Sequence, residues 1–289
     1  MRMTRVLVLC CMMVLQSVDV LAQTKGESYL KAHFAACLSR NEVLPVKKDK
    51  QLRLSSIEKY RQQVWQAWKQ ANEASAEEPL LPLGLLSETS VAQWHLPDSL
   101  EPHAVMPYRY GVKEKGGVRS GYPFFIYLHG SGPKVQEWST GLVLAQRFQD
   151  GPSAYFIPQI PNEGKYYRWW HKSKQFAWEK LLRLSLARGD VHPDSIYLFG
   201  ISEGAYGSQR LASFYADYLA AAGPMAGGEP LKNAPAENCA NLPFSLRTGD
   251  RDMDFYRNLL TLYTRQAFDS LQRLHPNLYT HRVELIPGR

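Results

Sequence analysis

The sequence predicts an α/β fold, a mostly parallel sheet flanked by helices, on three observations. From His103 onward, strand-like and helix-like segments alternate, as they do where crossover helices join parallel strands. A short apolar run rich in β-formers, 195–199, drops into Gly200-Ile201-Ser202-Glu203-Gly204 and passes at once into a helical pattern. Apolar residues make up 45% and charged residues 21% of the 289 positions, enough for a sizeable core.

Taken in order, the chain opens with the pattern of a secretory leader. Arg2 and Arg5 precede an apolar run at 6–15, and Val20-Leu21-Ala22 offers small-residue cleavage before Gln23. Cleavage after Ala22 predicts a secreted or periplasmic protein. It also removes Cys10 and Cys11, leaving Cys37 and Cys239, whose pairing stays open. Residues 55–72 predict a helix, because Ile57, Tyr60, Val64, Trp65 and Trp68 recur at helical spacing behind a serine cap. Prolines 79, 82 and 97 with Gly84 read as a linker. The expected organisation is therefore a leader at 1–22, an N-terminal helical extension and linker at 23–102, and the α/β domain at 103–289. Within that domain strands are expected at 104–112, 122–128, 154–158, 195–199, 219–222, 243–247 and 279–286. Helices are expected at 140–149, 174–187, 203–218 and 254–274, the last with Phe255, Leu259, Leu262, Tyr263, Ala267 and Leu271 along one side.

Charge excludes little but directs attention. The formal net charge is +7, and the densest basic run, Lys47-Lys48-Asp49-Lys50, is already broken by aspartate, which argues against nucleic-acid binding. No 18-residue apolar stretch predicts a membrane span. No cluster of His, Cys and Asp has ligand spacing, so neither a metal nor an organic cofactor is expected.

Four features could carry chemistry. Gly-x-Ser-x-Gly between a strand and a helix places Ser202 on a sharp turn, its hydroxyl clear of the sheet and a helix N-terminus behind it. The strand at 122–128 opens into His129-Gly130-Ser131-Gly132, a loop able to aim the Ser131 N–H, beside that of Glu203, at a developing oxyanion. Past the strand at 243–247, Asp250 and Asp252 compete as the orienting carboxylate. The Gly-x-x-Asp spacing favours Asp252, leaving Asp250 to the turn and Asp254 to cap the next helix. Trp169 and Trp170 follow the strand at 154–158, on the edge where α/β sheets bind ligands, and are the candidate substrate contacts. The general base is missing from the pattern. The order Ser…Asp…His calls for a histidine after the last strand, whereas His281 lies within that strand, His275 before it, and His171 far upstream. The expectation is a fragment that stops short of its base.

Together these motifs resemble the α/β-hydrolase superfamily over residues 103–289. They are most similar to secreted bacterial esterases of the polyhydroxybutyrate-depolymerase, feruloyl-esterase and dienelactone-hydrolase type. The resemblance implies Ser202 as the acylated nucleophile, Asp252 as the acid, and the amides of Ser131 and Glu203 as the oxyanion hole. The family's histidine loop has no counterpart here. The implied function is a secreted serine hydrolase cleaving small-molecule or polysaccharide-linked esters. One rival is a non-catalytic ligand-binding protein on the same scaffold. Another is a prolyl-oligopeptidase-like peptidase, for whose propeller the stretch before His103 is too short.

Overall fold

A computed structural model describes residues 28–39, 51–116, 118 and 120–289. The stretch expected to be a leader, 1–22, with Cys10 and Cys11, lies outside the described residues. The chain divides into two compact units, 1–78 and 79–289.

The first unit contains helix α1 (28–38) and helix α2 (Ile57–Glu73), the latter entered through a single 3-10 turn at Leu54–Ser56. Helix α2 buries Ala67, Ala71 and Asn72, while Trp65 and Trp68 stack at 5.0 Å. Val64 and Trp65 stay largely exposed, so the apolar repeat that predicts this helix is only partly a buried face.

The second unit is an eight-stranded sheet in the order β1-β2-β4-β3-β5-β6-β7-β8. The strands are β1 (Val91–His95), β2 (Val105–Val112), β3 (Tyr122–Leu128), β4 (Ala154–Pro158), β5 (Val191–Ile201), β6 (Ala221–Met225), β7 (Phe244–Gly249) and β8 (His281–Ile286). Strand β2 runs antiparallel to both neighbours and all the other pairings are parallel. Four helices cross over: α3 (Lys134–Arg147), α4 (Lys172–Arg188), α5 (Glu203–Phe214) and α6 (Arg257–Leu274).

Alternation along β3 shows how the sheet is packed. Phe124, Ile126 and Leu128 face a core shared with Trp178 and Leu181 of α4 and Leu211 of α5. Tyr127, on the other face, packs with Leu142 and Ala145 of α3. Both faces are buried, as a parallel sheet requires.

Four expectations need correction. Strand β1 lies inside the stretch read as a linker; of its five residues only Trp94 is fully buried, too short a signal among flanking prolines. It joins the sheet, so the compact unit begins at Pro79, earlier than the boundary expected at 103. Helix α3 starts directly after Pro133 rather than at 140. Of the stripe expected on the last helix, Ala267 and Leu271 pack against the core, but Leu259 and Tyr263 are 40% and 47% exposed and Phe255, in the 3-10 turn before α6, is 75% exposed. The fully buried residues of α6 are Thr261, Thr264 and Phe268. Two threonines fill the inner face because their hydroxyls find partners there, Thr261 donating to the Gly227 carbonyl and Thr264 accepting from Gln209 while donating back to the Leu260 carbonyl of its own helix.

Candidate functional site

The site lies where the parallel strands end. Ser202 separates the last residue of β5 from the first of α5 and has φ 54° and ψ −115°, a conformation rare outside glycine. Its backbone N–H donates to the Met225 carbonyl of β6 at 3.0 Å. The glycine at 204 is required by space. A Cβ there would overlap the Leu128 carbonyl at the end of β3, its position lying 2.5 Å from the carbonyl carbon alone. Close approach of α5 to β3 is thus what brings the two candidate oxyanion loops together.

His129 fixes the second loop. It is fully buried; its Nδ1 donates to the Gly130 carbonyl at 2.7 Å and its Nε2 accepts from the Ile160 N–H at 3.1 Å. Both ring nitrogens are therefore used by a neutral imidazole, and burial holds its pKa down at about 4. Tyr167 O–H also donates to the Gly130 carbonyl, at 2.5 Å. So braced, Gly130 sits against the nucleophile candidate: a Cβ on it would lie 3.4 Å from the Ser202 Cβ. Among the described residues neither the Ser131 nor the Glu203 amide has a hydrogen-bond partner.

The two tryptophans part company. Trp169 is fully buried, donates its indole N–H to the His129 carbonyl at 2.9 Å and fills the space beside Gly207, so it is a core residue and not a substrate contact. Trp170 lines a cleft of about 640 Å³ together with Ser131, Ser202, Glu203, Tyr206 and the guanidinium groups of Arg168, Arg210 and Arg257. The loop carrying both is anchored from below by a buried network. Lys174 pairs with Glu101, both fully buried, and donates to the Tyr166 carbonyl at 2.8 Å. Asn162 donates to the other Glu101 oxygen at 3.0 Å.

Asp252 stands after β7, on the same rim of the sheet as Ser202. Its carboxylate accepts from Arg257 Nη1 at 3.0 and 3.3 Å, and the same guanidinium donates through Nε to the Tyr206 hydroxyl at 3.0 Å. Asp252 itself does not line the cleft; Arg257 stands there in front of it. The Asp250 carboxylate accepts from the Gly288 N–H at 2.9 Å, tying the turn after β7 to the residues after β8. Asp254 heads a short 3-10 turn and does not cap α6, whose N-cap is Tyr256 in the left-handed region without a side-chain bond.

None of the eight histidines lines the cleft. His281 bonds Asp269 at 3.0 Å, His171 caps α4 through Ser173, and His129 is spent on the loop above. Cys37 and Cys239 are free thiols, the first exposed and the second buried. Among the described residues no group of His, Cys, Asp and Glu is placed to hold a metal ion, and no helix is long and apolar enough to cross a membrane.

Sequence reasoning missed the three arginines, Tyr206 and Glu229. Nothing in the local pattern separates them from surface charges; only the fold collects them.

No family model and no curated protein matches the chain. Solved structures similar to it include a thermostable esterase, at 17% identity over 69% of this chain and 55% of that one, with a TM-score of 0.47. The chain thus spans little more than half the length of that esterase. A poly(3-hydroxybutyrate) depolymerase from Bordetella parapertussis matches at 12% identity over 69% and 83%, TM-score 0.48. A ferulic acid esterase from Anaeromyces mucronatus matches at 16% over 74% and 87%, TM-score 0.47. The observed strand order, the single antiparallel insertion of β2 among them, and the serine turn between β5 and α5 give the second unit an α/β-hydrolase fold.

Proposed function

We propose that this protein is a serine hydrolase acting on carboxylic esters through an acyl-enzyme. The observation that carries the reading is Ser202, held at φ 54° with the unpartnered Ser131 and Glu203 amides on the two loops that flank it. Strain of this kind costs about 1–3 kcal/mol and persists where the surroundings enforce it, commonly at reactive positions. In the proposed reaction the Ser202 hydroxyl attacks the ester carbonyl and loses its proton to a base. The two amides stabilise the tetrahedral oxyanion, the alcohol departs, and water then hydrolyses the acyl-serine. Asp252, after β7 on the same rim of the sheet as Ser202, is the carboxylate that orients the base. The substrates are small-molecule or polysaccharide-linked esters, met outside the cytoplasm after removal of residues 1–22.

A second reading, a ligand-binding protein on a hydrolase scaffold, draws on one fact: Asp252 is engaged by Arg257 and no histidine of this chain lines the cleft. Fluorophosphonate labelling separates the two. The hydrolase reading expects modification of Ser202, accelerated by added imidazole as a substitute base and absent in Ser202→Ala. No labelling with or without imidazole favours the binder.

A further inference from the structure

Trp170 stands on the cleft wall with two guanidinium groups over its ring. Arg210 Cζ lies 4.0 Å from its ring centroid and Arg168 Cζ 5.8 Å away. Each arginine is tied to a carboxylate, Arg210 Nε to Glu229 at 2.8 Å and Arg168 Nη1 to Glu203 at 3.3 Å. The two pairs differ in setting: Arg168–Glu203 has hydrogen-bond geometry, while Arg210 Nε, for all its closeness to Glu229, makes no hydrogen bond among the described residues. Glu229 is almost fully buried, also accepts from Asn233 Nδ2 at 3.0 Å, and is fixed through its own N–H to Gln209. Glu203 has Arg168 as its only side-chain partner among the described residues, and that arginine is 48% exposed while Glu203 is 12% exposed.

The charges around Glu203 are mixed. Arg168 faces it from the loop between β4 and α4, Tyr167 from the same loop, Arg210 from its own helix, and Glu229 from the loop after β6. Burial is the largest influence and Glu229 adds to it; together they outweigh the two arginines and push the Glu203 carboxyl up to about 7. A proton therefore exchanges at this pair near neutral pH.

We propose that Glu203 and Arg168 are positioning residues, a proton-controlled clasp that seats Trp170 against the cleft beside Ser202. With Glu203 ionised, Arg168 spans from the Tyr167 carbonyl, 2.7 Å from its Nη1, to the first residue of α5, which keeps its guanidinium over the indole ring. With Glu203 protonated, the ion pair is lost, Arg168 turns to solvent, and the indole keeps only Arg210. The cleft is then wider and less ordered at acid pH and closed to its aromatic wall above neutrality. This rests on the reading of the cleft as a substrate site, but its test does not require turnover.

The test is tryptophan fluorescence of the full chain from pH 5.5 to 8.5, with circular dichroism to confirm that each variant folds. The clasp predicts a transition with a midpoint near 7 that Trp170→Phe lacks and Glu203→Gln abolishes. Arg168→Gln, which removes the link between Glu203 and the indole, abolishes it too. A transition that persists in Trp170→Phe, in Glu203→Gln or in Arg168→Gln overturns the proposal. Fluorophosphonate labelling of the same samples keeps the two readings apart. A fluorescence transition without Ser202 labelling sinks the hydrolase and leaves the clasp, and labelling without the transition sinks the clasp alone.

Discussion

The two sides of the cleft are built on different principles. On the serine side, β3, β5 and α5 approach so closely that position 204 admits no side chain, and His129, Tyr167 and Trp169 satisfy one another in full burial. On the facing side, the loop from Asp252 into α6 exposes Met253, Phe255 and Tyr256 by 73%, 75% and 72% and places the last two at positive φ. What ties that segment down is polar, chiefly Arg257 reaching both Asp252 and Tyr206. One wall is fixed by packing, the other by a few charge-assisted hydrogen bonds. The first is suited to hold reacting groups still, the second to yield to a ligand.

That contrast can be broken most forcefully at its packed side. Gly204→Ala drives a methyl group into the Leu128 carbonyl, and a loss of about 4 kcal/mol or more, or failure to fold, is expected in urea unfolding. His129→Ala strands the Ile160 N–H in a dry interior, leaves the Gly130 carbonyl to Tyr167 alone and opens a cavity; about 3 kcal/mol should be lost, with faster proteolysis of the loop at 130–132.

The polar side should respond far less. Asp252→Asn removes a pair whose side chains are 16% and 21% exposed, and a cost of about 1 kcal/mol is expected. Under the hydrolase reading the same variant also slows fluorophosphonate labelling of Ser202. Equal, large losses at His129 and Asp252 would erase the distinction between the two walls.

Two pH slopes of opposite sign complete the comparison. His129 binds fewer protons when folded, its pKa falling from 6.5 to about 4, so its contribution to stability is lost as pH drops through that window. Glu203 behaves oppositely. Its carboxyl rises from 4.5 to about 7, the folded state binds more protons between those values, and stability falls as pH climbs through them. Glu203→Gln should therefore gain thermal stability relative to the parent at pH 8 and lose that advantage at pH 4.5, measured by scanning calorimetry.

The packed wall is also the wall that could be read from the sequence. Strands β3 and β4 match their expected limits because apolar runs end sharply, at the His-Gly loop for one and at Pro158 for the other. Gly200, Ser202 and Gly204 announce themselves, since only a close strand-to-helix turn needs those residue types together. The rest of the cleft left no such trace. Trp169 and Trp170 are neighbours on a loop without periodicity, and only the fold sends one into the core and the other to the cleft. Arg168, Arg210 and Arg257 are three among 34 basic residues, and their meeting depends on contacts between distant segments. The inner face of α6 misled for a related reason: threonines there bury by hydrogen bonding, which an apolar count does not register.

The most direct test of the central claim is a crystal structure of the fluorophosphonate-treated protein. The account predicts a single adduct on the Ser202 Oγ, with the phosphonyl oxygen about 2.7–3.1 Å from both the Ser131 and Glu203 backbone nitrogens. An adduct on another residue, or a phosphonyl oxygen turned to solvent with both amides untouched, would contradict it.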